Sequence, residues 1–149
     1  MPGMKCESTI EMEPPVESTN NSVKMPMGML GFEQMKDYSL LANPAEEPFA
    51  WLQARGNSSV TFVVVNPFIA VPDYQPDIPE ADAEFLGLKD ENDALLLNIV
   101  TLHGSGHATV NLKGPIVINR RTHIGKQVVI ANATDYSVQH PLPVAVAAA

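Results

Sequence analysis

The sequence predicts a mainly β protein: a single antiparallel domain, a sandwich or a small barrel, with one short helix near residues 79–86. Three observations carry this expectation. Short runs of β-branched and aliphatic residues recur along the chain, each bounded by Gly, Pro, Asn or Asp, which is the signature of strands joined by turns. Connections are short except over residues 72–93, a spacing that suits a small barrel or sandwich better than alternating strands and helices. Finally, 45% of residues are hydrophobic but only 6% aromatic, so aliphatic side chains must build the core. A length of 149 residues implies one domain. Residues 4–142 are read as that domain and residues 143–149 as a flexible, alanine-rich tail.

The elements follow in order. Lys5 to Met12 alternates loosely and reads as a first strand, ended at Glu13-Pro14-Pro15 because proline cannot donate to a ladder. Val23 to Met27 reads as a short edge strand. Met25-Pro26-Met27-Gly28-Met29-Leu30-Gly31-Phe32 reads as a compact turn that carries Leu30 and Phe32 into the core. Its methionines are adaptable gap-fillers, a property that also suits surfaces for apolar partners. Tyr38 to Ala42 is a strand, ended by Asn43-Pro44. Pro48 to Leu52 is either a helical turn or a small strand, with Trp51 inside.

Val60 to Val65 is the strongest strand. Phe62-Val63-Val64-Val65 is apolar on both faces, which predicts cover on both sides. Asn66-Pro67 follows, Phe68 to Val71 reads as a further short strand, and Pro72-Asp73-Tyr74-Gln75-Pro76 reads as stiff and exposed. Pro79 to Leu86 is the helix. Proline suits its first position, Glu80 and Asp82 complement the helix dipole, and Gly87 caps the end.

Ala94 to Leu102 is a long strand, His103 to His107 a glycine-rich turn, and Ala108 to Leu112 the return. Ile116 to Asn119 and Gln127 to Ile130 form the next hairpin. In its turn Gly125 is expected to supply a positive φ. Thr134 to His140 reads as a last short strand. The total is seven to ten strands, with no fixed-period repeat.

The net charge of −8 disfavours direct nucleic acid binding and makes a basic protein the easier partner. Residues 73–93 concentrate the acids: Asp73, Asp77, Glu80, Asp82, Glu84, Asp90, Glu91 and Asp93 stand against one base, Lys89. Such a run is either a solvated face or a docking surface. The basic residues Lys113, Arg120, Arg121 and Lys126 gather in the late hairpin. Cys6 is the single cysteine, which excludes an intramolecular disulfide and fits a reducing compartment. No basic-then-apolar leader and no apolar run of membrane-spanning length is evident.

Residues that could carry chemistry are few. His103 and His107 flank one turn, but a metal site needs a third ligand and none lies near in sequence. The carboxylates of residues 73–93 lie in a proline-rich loop and a surface helix, whereas a general acid needs an apolar pocket. There is no nucleophile-elbow pattern. The residues therefore point to a binding protein rather than an enzyme, with no cofactor and no metal. A ligand pocket inside the barrel is the competing idea.

Several blocks resemble the flagellar assembly factor FliW family: Gly31-Phe32-Glu33, Glu47 to Gln53, Val63 to Phe68, Pro72 to Pro76, and Pro115 to Asn119 with the return strand Gly125 to Val129. They fall in the family's order over about residues 28–142. The resemblance implies a compact, mostly antiparallel β-barrel-like domain and a cytoplasmic regulator of flagellum biogenesis without an active site. It implies two protein partners, the translational repressor CsrA and flagellin, exchanged in a partner switch that relieves repression of flagellin translation. For CsrA, a basic RNA-binding dimer, opposite charge assigns Asp73, Asp77, Glu80, Asp82 and Glu84. For flagellin, Phe68, Tyr74, Met27 and Met29 are assigned as the wall of an apolar groove. Three alternatives stay open: a flagellin chaperone that never touches CsrA, a small-molecule-binding β-barrel, and a metal hydrolase using His103 and His107. The interrupted first hairpin at Glu13-Pro14-Pro15, the methionine-rich turn and the alanine-rich tail depart from the family pattern.

Overall fold

The computed structural model describes residues 22–42, 45, 48–57, 59–104 and 106–142. The expected strand Lys5 to Met12, Cys6 and the tail 143–149 lie outside the described residues.

Nine strands are present among the described residues: β1 Ser22–Lys24, β2 Asp37–Ala42, β3 Ala50–Ala54, β4 Thr61–Val65, β5 Ala94–Leu102, β6 Ala108–Val110, β7 Ile116–Asn119, β8 Gly125–Gln127 and β9 His140–Pro141. One helix, α1 Glu80–Leu86, interrupts them, so the fold is mainly β as predicted. All ladders are antiparallel, and β1 through β5 pair in sequence order.

β5 is the shared wall of the molecule. Its middle pairs with β4, its second half with β6 and its first half with β7. The carbonyls of Asp93, just before β5, and of Ile99, within it, accept from Arg120 N and Asn111 N, an even number of residues apart. Carbonyls two residues apart point to one edge, so β6 and β7 are two segments of a single return strand, split by residues 111–115. β8 then pairs with β7. The sheet is not closed by a ladder. A single parallel bridge, Lys24 to Ile124, joins β1 to the entry of β8, with Lys24 N donating to His123 O at 2.9 Å. Barrel-like is therefore apt, and barrel would overstate it.

Alternation along β5 separates the cores. Leu95, Leu97 and Ile99 face the barrel interior with Val23, Met25, Met29, Tyr38, Leu52 and Val64. Leu96 and Val100 face the other way, with Val65, Tyr74, Val110, Leu112 and Leu142. β4 divides in the same manner, with Phe62 and Val64 inward and Val63 and Val65 outward. The expectation of cover on both faces of this strand holds.

Several expectations need correction. The turn at residues 25–32 inserts Met25 and Met29 into the core and leaves Leu30 62% and Phe32 41% exposed. The flexible thioethers reach the interior gap, while Phe32 lies edge-on to Phe62 at 5.4 Å. Trp51 is half-buried rather than enclosed. Pro67–Ile69 is a 3-10 turn and not a strand, because the Asn66 side chain accepts from Phe68 N and caps it. The expected strand Thr134 to His140 begins instead in the 3-10 turn Ala133–Asp135, and the strand here is His140–Pro141. The return of the late hairpin is Gly125–Gln127 rather than residues 127–130. Its positive φ belongs to His123, at 63°. Gly125 serves a different purpose. A Cβ there would lie 3.0 Å from both Ile118 Cγ1 and Met25 Sδ, so glycine allows β8 to cross Met25.

Candidate protein-docking face

The acidic segment 72–93 is not a projecting arm. It is sewn to the β7–β8 hairpin and to residues 131–132 beyond it. Ala131 N donates to Asp77 O at 2.8 Å. The Asn132 amide accepts from Asp77 N at 2.8 Å and donates to Gln75 O at 3.0 Å. Lys126 pairs with Asp82. Asn119 Nδ2 donates to Leu86 O at 2.7 Å. Arg121 pairs with Asp93 at 3.3 Å and donates to Gly87 O at 3.1 Å.

These ties explain how so short a helix persists. Seven residues cannot sustain a helix alone. Pro79 gives α1 no side-chain cap, and the last turn has no basic residue of its own. At the other end Gly87 takes the left-handed conformation at φ 71°, and Leu88 N closes onto Ala83 O at 3.0 Å. The carbonyls of Leu86 and Gly87 receive donors from the hairpin, through Asn119 and Arg121. Leu86 is the one buried side chain of α1 and packs on Val117 and Val128.

Asn119 has a double role. Its Nδ2 serves the helix, while its Oδ1 accepts from Arg121 N at 2.7 Å and Thr122 N at 3.2 Å, shaping the basic turn. The Arg121 guanidinium, by hydrogen bonding, and the Lys89 amide together hold the Asp93 carboxyl well below its usual range, at about 2. Asp90 and Asp93 also form a reciprocal capping box around the turn Glu91–Asp93.

An open groove of about 940 Å³ lies beside this segment. Phe68, Ile78, Ala83, Leu88 and Leu95 supply apolar lining, with Arg120, Lys89, Asp90 and Glu91 among its polar residues.

The sequence-assigned residues separate into two groups. Asp73, Asp77, Glu80 and Glu84 are exposed, whereas Asp82 is half-buried in its pair with Lys126. Phe68 is exposed at the groove. Tyr74, expected at the surface, is 2% exposed; its hydroxyl donates to Leu112 O at 2.6 Å, and burial pushes its pKa up to about 12. Met29 is buried too, while Met27 is exposed but does not line the groove. The four residues assigned to one apolar wall therefore do not form one. His103 and His107 do meet, with rings stacked at 4.5 Å, and His103 Nε2 bonds Thr109 Oγ1 at 3.0 Å. No group of three or more metal-ligating side chains occurs among the described residues. Arg120 and Arg121 read from the sequence as solvated or paired with the chain's own acids, and Arg121 is so paired, whereas Asn119 and Lys126 were missed as partners of the acidic segment. The only signal was the coincidence of a basic turn and an acidic run in one chain.

Comparison with known proteins places these features in a family. A family model described as FliW protein matches residues 6–142. The flagellar assembly factor FliW of Moorella thermoacetica is 35% identical over 136 residues, covering 90% of this chain and 82% of that protein. Its counterpart from Clostridium novyi is 33% identical over 139 residues, covering 93% of each. A crystal structure of a flagellar assembly factor FliW superposes with a TM-score of 0.76 at 33% identity, covering 86% of this chain and 89% of that one. With a family match over almost the whole chain and a shared fold, this protein belongs to the FliW family of flagellar assembly factors.

Proposed function

We propose that this protein is a cytoplasmic partner-switching regulator. It binds and antagonises the translational repressor CsrA, and it binds flagellin, which competes it away and so couples flagellin synthesis to assembly. Family membership supports a flagellar role. The observation that carries the finer reading is the row of exposed carboxylates Asp73, Asp77, Glu80 and Glu84 on a segment held rigid by the hairpin. A basic, RNA-binding partner is attracted to such a face. No helix among the described residues is long and apolar enough to cross a membrane.

Size-exclusion chromatography with CsrA and flagellin from the same organism tests this. The expected result is a separate complex with each, loss of the CsrA complex on adding flagellin, and release of the target leader RNA from CsrA. Failure of CsrA to co-elute at low salt would overturn the reading in favour of a flagellin chaperone alone. The groove favours some apolar contact with flagellin, since Phe68 is exposed beside Leu88 and Ile78. A small-molecule-binding barrel has less support, because Tyr38, Met25, Met29, Leu52 and Leu97 fill the interior.

A further inference from the structure

The acidic face stands on a helix that depends on another element for its shape. α1 lacks an N-terminal side-chain cap and buries one side chain. What holds its C-terminal carbonyls and its inner carboxylate is the late hairpin, through Asn119, Arg121 and Lys126. These three groups point into the protein's own acidic segment. Asn119 is fully buried, and the Lys126–Asp82 pair is largely covered.

We infer that Asn119, Arg121 and Lys126 are positioning residues for the docking face: a basic partner reads Glu80, Glu84 and Asp77 only while the hairpin holds α1 in place. This rests on the proposed engagement of the acidic face by CsrA. Two physical effects then oppose each other. Removing the charge of Lys126 makes the protein one unit more negative than −8, and long-range attraction alone would tighten binding to a basic partner. Loss of positioning weakens it, because the partner must then order the helix as it binds.

The test is calorimetric titration of CsrA into the full chain carrying Lys126→Met or Asn119→Asp, with amide exchange followed over residues 80–88. Asn119→Asp keeps the oxygen that shapes the turn and removes the donor to Leu86 O. Each variant is expected to bind about ten-fold more weakly despite its added negative charge, the scale of ordering one short segment, and to lose exchange protection over α1. The charge swap Asp82→Lys with Lys126→Asp, neutral overall, is expected to restore both affinity and protection. Equal or tighter binding by Lys126→Met overturns the inference, provided Glu80→Lys with Glu84→Lys still abolishes binding. If that acidic-face variant binds as the parent does, the acidic-face reading itself fails, and the inference with it.

Discussion

Gly125 lies against Met25 so closely that a methyl group on its α-carbon would sit 3.0 Å from the sulfur. The same methyl would meet Ile118 Cγ1 at 3.0 Å and Val117 O at 3.2 Å. This contact lies where β8 approaches β1, at the seam the sheet closes with one bridge. Gly125→Ala should therefore destabilise the fold by about 1–3 kcal/mol, as overpacking does. Urea denaturation measures it, and a midpoint equal to the parent's would show that Met25 yields without cost.

The Tyr74 hydroxyl donates to Leu112 O at 2.6 Å in the outer core, beside the fully buried Asn98 amide, which donates to Asn111 O at 2.8 Å. Tyr74→Phe should leave Leu112 O without this donor and cost about 1–3 kcal/mol, measured by denaturation. There is also a pH signature. The folded value near 12 lies above the ordinary 10.0, so the stability it contributes is complete below pH 10 and falls as pH rises from about 10 towards 12. Tyr74→Phe should flatten that alkaline limb.

Asp93 has the opposite sign. Its folded value of about 2 lies below the ordinary 3.8. Its contribution is present above about pH 4 and is lost as pH falls towards 2, because the unfolded carboxylate takes up a proton first. Both Asp93→Asn and Arg121→Gln should flatten this acid limb of the stability curve. A limb of unchanged slope in Arg121→Gln would remove the guanidinium as its cause.

Phe68 is the one groove-lining residue of the proposed flagellin wall that is exposed, with its ring centre 6.1 Å from that of Tyr74. Phe68→Ala should weaken flagellin capture about ten-fold or more while leaving the melting temperature close to the parent's, as expected of an aromatic anchor at an interface. Intact capture with an intact fold would remove the groove from the flagellin contact.

Much of the fold was legible in the chain. β5 announced itself by nine residues of aliphatic character, α1 by Pro79, Glu80 and Gly87, and β4 by valines on both faces. What escaped was decided by contacts distant in sequence. Phe68-Ile69 looks like strand material, but the side chain of Asn66 turns the backbone before any ladder forms. Gly125 looks like a turn glycine, and only the position of Met25, a hundred residues earlier, reveals a packing glycine. Tyr74 sits between prolines and acids and reads as surface, yet its ring inserts beneath them between Phe68 and Tyr136. The acidic run itself was plain. Pairing of Arg120 and Arg121 with the chain's own acids was one reading of the basic turn, but which acid each meets was not legible, because periodicity carries no information about which distant charges meet.

The position of β5 bears on how the molecule comes apart. A strand whose alternate side chains belong to two different cores makes them cooperative, since neither can melt without dismantling the other's wall. Ring resonances of Tyr38, in the inner core, and Tyr74, in the outer one, should then report a single unfolding midpoint. α1 reaches that wall through one buried side chain, Leu86, beside Ala94 and Leu96 of β5, so local opening of the helix breaks few apolar contacts.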